Sequence, residues 1–242
     1  MAVRHVLIQL IVGSALAVGL AAPAGAAGDE CRVRNVTDGT AAASDLGSAI
    51  ADADPGDRLR VNGTCRGNFE IDKDLVIVGG PRAVLDAYGA GTTVTVLPPA
   101  TVRLARLTIT RSSDSGLDVS EGATVKAIEM TWMGNDSDRV GGAITNGGGL
   151  QLRRSTVTGN AAALDGGGIF NFGELTLIHT DLSDNEATGT GGGLFNEGVA
   201  VLRHSTVTHN VAASSGGILN VSLITLIDTV VADNVPNDCD GC

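Results

Sequence analysis

Residues 166–190 read GGGIFNFGELTLIHTDLSDNEATGT, and residues 191–214 read GGGLFNEGVAVLRHSTVTHNVAAS. The two stretches are one unit written twice. Working outward, Asn146, Asn171, Asn196 and Asn220 are spaced by 25, 25 and 24 residues. Asn160, Asn185, Asn210 and Asn234 each follow their partner by 14 residues, and Asn135 carries this second column one unit upstream. Apolar columns recur between them: Leu150, Leu175, Ala200 and Ile224, then Leu152, Leu177, Leu202 and Leu226, then Trp132, Val157, Leu182, Val207 and Val231. A small hydroxyl column, Ser155, Thr180, Ser205 and Thr229, keeps the same step.

The alternation Leu-x-Leu describes a strand with one face buried. A unit of this length holds two or three such strands but cannot bury its own face, so successive units must stack. The reading is therefore an all-β solenoid, a single-stranded parallel β-helix with rungs about 4.8 Å apart. Equivalent asparagines then lie one above another, and each amide can donate to the next and accept from the one before. The nine asparagines are read as structural, since such ladders satisfy polar groups that would otherwise be costly to bury.

Upstream the design continues with looser spacing. Val102, Leu104, Leu107 and Ile109 match Val125, Ala127, Met130 and Trp132 at an offset of 23 residues. Leu75–Gly79 and Val94–Val96 read as strands of earlier coils, and the stretch 81–100, with its extra Pro and Gly, is expected to include an outward loop. About eight coils are expected, a stack of roughly 35–40 Å. An open stack needs covered ends. A short amphipathic helix over 44–54 is expected to cap the first coil, with Ser44 as N-cap and Leu46, Ala49, Ile50 and Ala53 on its buried face. Four cysteines allow three pairings; Cys31–Cys65 and Cys239–Cys242, one near each end, are favoured over a redox or metal role for the Cys-x-x-Cys.

Residues 1–26 read as a signal peptide: Arg4, an apolar run from Val6 to Leu20, and Ala24-Gly25-Ala26 as the cleavage site. The remainder, 27–242, is read as one extracellular β-helix domain without a membrane span, expected to be monomeric. The chain carries a net charge of −11, which makes nucleic acid a poor partner. Only six residues are aromatic against 34 glycines, so the core is not built on aromatic bulk.

The helix-like segment 46–53, Pro55-Gly56-Asp57, Gly63-Thr64-Cys65 and Leu75–Gly79 together resemble the opening of secreted actinobacterial right-handed β-helix repeat proteins. The Gly-Gly-Ile/Leu-x-Asn units resemble repeats of chlamydial polymorphic outer-membrane proteins, and both are similar to the pectate-lyase-like superfamily. The resemblance implies a right-handed coil. It implies no single activity, because the superfamily holds lyases, glycosidases, esterases and adhesins.

The lyase and polygalacturonase signatures of that superfamily, an Arg beside calcium-holding aspartates or an aspartate trio with Gly-His-Gly, are missing from this sequence. One assembly stands out. Arg154, His179, His204 and Asp228 each lie eight residues after the first asparagine column, so stacking brings the two histidines and Asp228 onto adjacent coils. They are the candidate catalytic residues, set against the reading of a solvated corner; Asp184, His209 and Asp233 form a similar column. No cofactor or metal site is expected. The leading functional expectation is a non-catalytic protein presenting a rigid face to extracellular glycans or cell-surface partners. The alternatives are a polysaccharide lyase or glycoside hydrolase, and a structural envelope component. Exposed aromatics would favour glycan binding; a groove lined with acids and a basic residue would favour the enzyme.

Overall fold

A computed structural model describes residues 30–39 and 43–242. The signal-peptide segment 1–26 lies outside the described residues. The chain is a parallel β-solenoid of about seven turns with one short helix. Each turn contributes one strand to each of three sheets. A broad sheet has nine strands, from Arg32–Asn35 through Arg58–Asn62 to Leu223–Ile227. A hydroxyl sheet of eight runs from Thr64–Arg66 to Val230–Ala232, and an asparagine sheet of eight from Phe69–Ile71 to Cys239–Asp240. A fourth sheet of four short strands joins the later coils.

Register follows the sequence columns. Leu150, Leu175, Ala200 and Ile224 are successive partners in the broad sheet, as are Leu152, Leu177, Leu202 and Leu226. Trp132, Val157, Leu182, Val207 and Val231 stack in the hydroxyl sheet. The strands form because β-branched residues and leucines alternate with polar ones, and stacking places the apolar set in one continuous core. Eight parallel strands of the broad sheet make seven steps, which reconciles the expected eight coils with about seven turns.

The amides bond from coil to coil. Asn146, Asn171 and Asn196 each donate through Nδ2 to the next Oδ1 at 2.6–2.7 Å, ending at Asn220. In the longer column, Asn135, Asn160, Asn185 and Asn210 each direct both Nδ2 and the backbone N–H at the next Oδ1, within 3.2 Å. That ladder is closed at both ends: Ser112 donates to Asn135 Oδ1, and Asp238 Oδ1 accepts from Asn234. The shorter one is not closed at its start. Val119 occupies the equivalent place upstream of Asn146 and has no side-chain donor, and Asn146 Oδ1 is buried without a partner.

The paired glycines have a second cause besides turn conformation. A Cβ on Gly192 would lie 2.5 Å from the carbonyl oxygens of Gly216 and Val211 on the next coil, so that position admits no side chain. The left-handed conformation belongs to its neighbour Gly191, at φ 64°.

At the N-terminal end the helix spans Leu46–Asp52 and buries Leu46, Ala49 and Ile50 on the first coil. Its N-cap is Asp45 rather than Ser44: the Asp45 carboxylate accepts from Ser48 N at 2.7 Å, and that bond holds its pKa below the usual carboxylate value. Lys73 closes the other end by donating to the carbonyls of Ile50, Ala51 and Ala53. Cys31 and Cys65 are bonded beside this cap, and Cys239 and Cys242 at the opposite end. Stretch 81–100 contributes the strands Val84–Asp86 and Val94–Val96, and its outward loop is the short turn around Tyr88 between them. And Arg32–Asn35, not singled out in the sequence, pairs antiparallel to Arg58–Asn62 and covers the sheet edge.

Candidate functional site

The column of Arg154, His179, His204 and Asp228 forms as the spacing predicts. The His179 and His204 rings stack with centroids 5.0 Å apart and 13° between planes. His204 Nδ1 lies 3.6 Å from Asp228 Oδ2, beyond hydrogen-bond length, with both side chains at least half exposed. Arg154 turns away and donates to Glu129 Oε1 at 3.1 Å.

The backbone explains why these residue types stand there. Arg106, Glu129, Arg154, His179, His204 and Asp228 all have φ between 46° and 55°. They are the single left-handed residues that turn the chain from the broad sheet into the hydroxyl sheet. Asp and His tolerate that region better than most side chains, so the corner selects them without reference to chemistry. The buried Ser155, Thr180 and Ser205 follow directly and tie the corner to itself: Ser205 Oγ donates to Arg203 O and accepts from Thr180 N. Asp184, His209 and Asp233 form a second exposed left-handed corner, at φ 56–59°. The surface beside His179 and His204 is an open depression of about 380 Å³ lined by hydroxyls and Asp181, whose Oδ1 already accepts from Thr206 at 2.5 Å. No cluster of three or more metal-ligating side chains occurs among the described residues. The column is thus an open, exposed corner in which His204 and Asp228 are close but not hydrogen-bonded.

A different cluster is built more tightly. Tyr88, the only tyrosine, is 70 % exposed and adopts φ 57°, an unusual conformation for a bulky side chain. Asp86 beneath it is 2 % exposed. Parallel register puts Arg66 on the coil before Asp86 and Thr110 on the coil after, so Arg66 and Arg111 flank it. Arg111 binds Asp86 through both Nε and Nη2, Arg66 Nε lies 3.9 Å from it, and Tyr88 N donates to Asp86 Oδ1 at 2.9 Å. Burial pushes the Asp86 pKa up, but the Arg111 and Tyr88 hydrogen bonds and the two guanidinium charges outweigh it and leave the carboxyl below its usual value. The guanidinium carbons of Arg66 and Arg111 sit 5.4 and 5.2 Å from the Tyr88 ring centre.

The ring is thus held by two cations that are themselves anchored on a buried anion. Beside it opens a depression of about 540 Å³ lined by Arg111, Ser112, Ser113 and Asp136. Sequence reasoning passed over this site because it occurs once, outside the repeat. The one available signal was a lone tyrosine in a Pro- and Gly-rich stretch. Aromatic contacts also occur on the outer face of the asparagine sheet, where Phe170 and Phe195 stack at 5.0 Å and Phe172 remains half exposed. No protein-family model, curated protein or solved structure matches this chain.

Proposed function

We propose that this is a secreted, non-catalytic β-helix protein that binds extracellular glycans, with the Tyr88 platform as its sugar-contacting element. The observation that carries the reading is the exposed Tyr88 ring, immobilised by Arg66 and Arg111 over buried Asp86. A ring already fixed in place loses little entropy on binding, and its apolar face suits the C–H face of a sugar. The adjoining hydroxyls, Asp136 and Arg111 supply donors and acceptors for sugar hydroxyls. Two disulfides and the absence of a helix long and apolar enough to cross a membrane among the described residues are compatible with an extracellular protein. The exposed left-handed His179–His204–Asp228 corner favours binding over catalysis.

The test is titration of the full chain against a panel of neutral and acidic polysaccharides, with products followed by mass spectrometry. Binding without new oligosaccharides, weakened roughly tenfold or more in Tyr88→Ala, is the expected result. Cleavage products that disappear in His204→Ala would overturn it.

A further inference from the structure

The net charge of −11 conceals a segregated surface. The parallel strands of the broad sheet carry outward Arg58, Arg60, Arg103, Lys126, Arg153 and Arg203, and the only carboxylate within those strands is Glu174. At the sheet's first edge Arg34 stands directly opposite Arg60, a like-charge pairing that costs stability unless an anion lies near. Within this face is a depression of about 180 Å³ walled by Arg58, Arg103, Arg106 and Arg154, with Glu129 as the single acid lining it. Its floor includes Val78 and Ala105. Both face outward in register with Arg60, yet they are only 5 % and 8 % exposed. Arg154 is matched by Glu129 at 3.1 Å. Among the described residues the guanidinium groups of Arg58, Arg103 and Arg106 have neither an acid nor a hydrogen-bond acceptor.

We propose that this depression binds a phosphate or sulfate ester carried on an extended glycan. The three unmatched guanidinium groups line it from two coils, Arg58 from one and Arg103 with the corner residue Arg106 from another, and each presents a planar fork of donors. A lone carboxylate offers two oxygens and one charge. A phosphate or sulfate group offers three free oxygens arranged tetrahedrally, so several forks engage it at once. The basic strip continues onto the next two coils at Lys126 and Arg153, in steps of about 4.8 Å, which suits a chain laid along the solenoid axis; the coil after them carries Glu174 and sets Arg203 apart. Nucleic acid is disfavoured because the parallel strands of the broad sheet present no aromatic ring on which a base could stack. This site lies on a different sheet from Tyr88 and stands or falls separately from the platform.

The experiment is calorimetric titration of the full chain with dextran sulfate, a phosphorylated mannan, polygalacturonate, neutral dextran and a single-stranded oligonucleotide. Saturable, salt-sensitive binding to the sulfated or phosphorylated polymer is expected, and the sulfate and phosphate arms show which ester is preferred. The Arg103→Gln/Arg106→Gln double variant weakens it roughly tenfold or more, since two charge-assisted contacts are lost at once. Arg203→Gln, a basic residue of the same sheet outside the depression, changes it by about twofold or less. Tyr88→Ala leaves it intact. Circular dichroism establishes that each variant folds, and Arg58→Gln replaces the double variant if that one does not. Equal loss in Arg203→Gln would reduce the site to diffuse charge. Equal or tighter binding of polygalacturonate, preference for the oligonucleotide, or no saturable binding would each overturn the proposal. Neutral-dextran binding lost in Tyr88→Ala, with no saturable binding of the sulfated or phosphorylated polymer, would overturn it while leaving the platform reading in place.

Discussion

Leu59 and Leu226 stand at opposite ends of one column of the broad sheet, and only one of them is covered. The column runs Leu59, Ile77, Leu104, Ala127, Leu152, Leu177, Leu202, Leu226, and every member up to Leu202 is at most 1 % exposed. Leu59 reaches 0 % because the Leu46–Asp52 helix, the antiparallel strand Arg32–Asn35 and the Cys31–Cys65 bond close the first coil. Among the described residues no such lid covers Leu226, which is partly exposed, while Leu223 and Val230 of its coil are 57 % and 53 % exposed. The polar ladder is nevertheless finished at that end, by Asp238. The difference shows that a solenoid solves two problems separately: ending its hydrogen bonds and ending its core.

That contrast can be broken by mutation. The largest effect is expected for Leu59→Ala, about 2–5 kcal/mol of unfolding free energy, while Leu226→Ala costs about 1 kcal/mol or less because its cavity opens to water. Chemical denaturation of the two variants measures the gap; equal losses would mean that the last coil is as well packed as the first. Next come the disulfides. Loop-closure entropy gives Cys31–Cys65, across a separation of 34 residues, roughly 2 kcal/mol more than Cys239–Cys242, across 3. Paired Cys→Ser variants compared by melting temperature test this, and a larger loss at the C-terminal pair would contradict it.

Within the ladder, Asn185→Ala leaves the N–H and Nδ2 of Asn160 without their shared acceptor, at a cost of about 1–3 kcal/mol. The same change at Asn234, 7 % exposed beside the open end, is expected to cost less. The smallest effect concerns Asp118, whose pKa is raised by burial and then by nearby Asp114. A folded pKa above the unfolded one means the charged form is penalised in the fold. The penalty is absent below the unfolded value of about 3.9 and grows as pH rises through the folded one. Asp118→Asn is therefore expected to raise the melting temperature slightly at pH 7, with the difference closing below about pH 4. A variant less stable than the parent at pH 7 would show that the carboxylate is stabilising.

The parts legible in the sequence were those that repeat. Leu150 and Leu175 announce a strand, and Asn160 and Asn185 a ladder, because stacking turns sequence period into spatial contact. The His179–His204 contact was legible for the same reason, yet its meaning was not. Spacing shows that two side chains meet, whereas the left-handed backbone that selects them appears only in the dihedral angles. Tyr88 and Asp86 occur once, so no column marks them, and their partners Arg66 and Arg111 are brought in from neighbouring coils by register in the least regular part of the chain. The basic face was hidden differently. A net charge sums over all surfaces, while the pleat sends Arg58, Arg103 and Lys126 to one of them.

The long asparagine ladder also has a direction. Each amide nitrogen points toward the later coil, from Ser112 at the start to the Asp238 carboxylate at the finish. Every interior junction is therefore the same joint. A duplicated 25-residue unit inserted between Asn160 and Asn185 would find a donor above and an acceptor below, and the molecule would lengthen by about 4.8 Å with neither terminus redesigned.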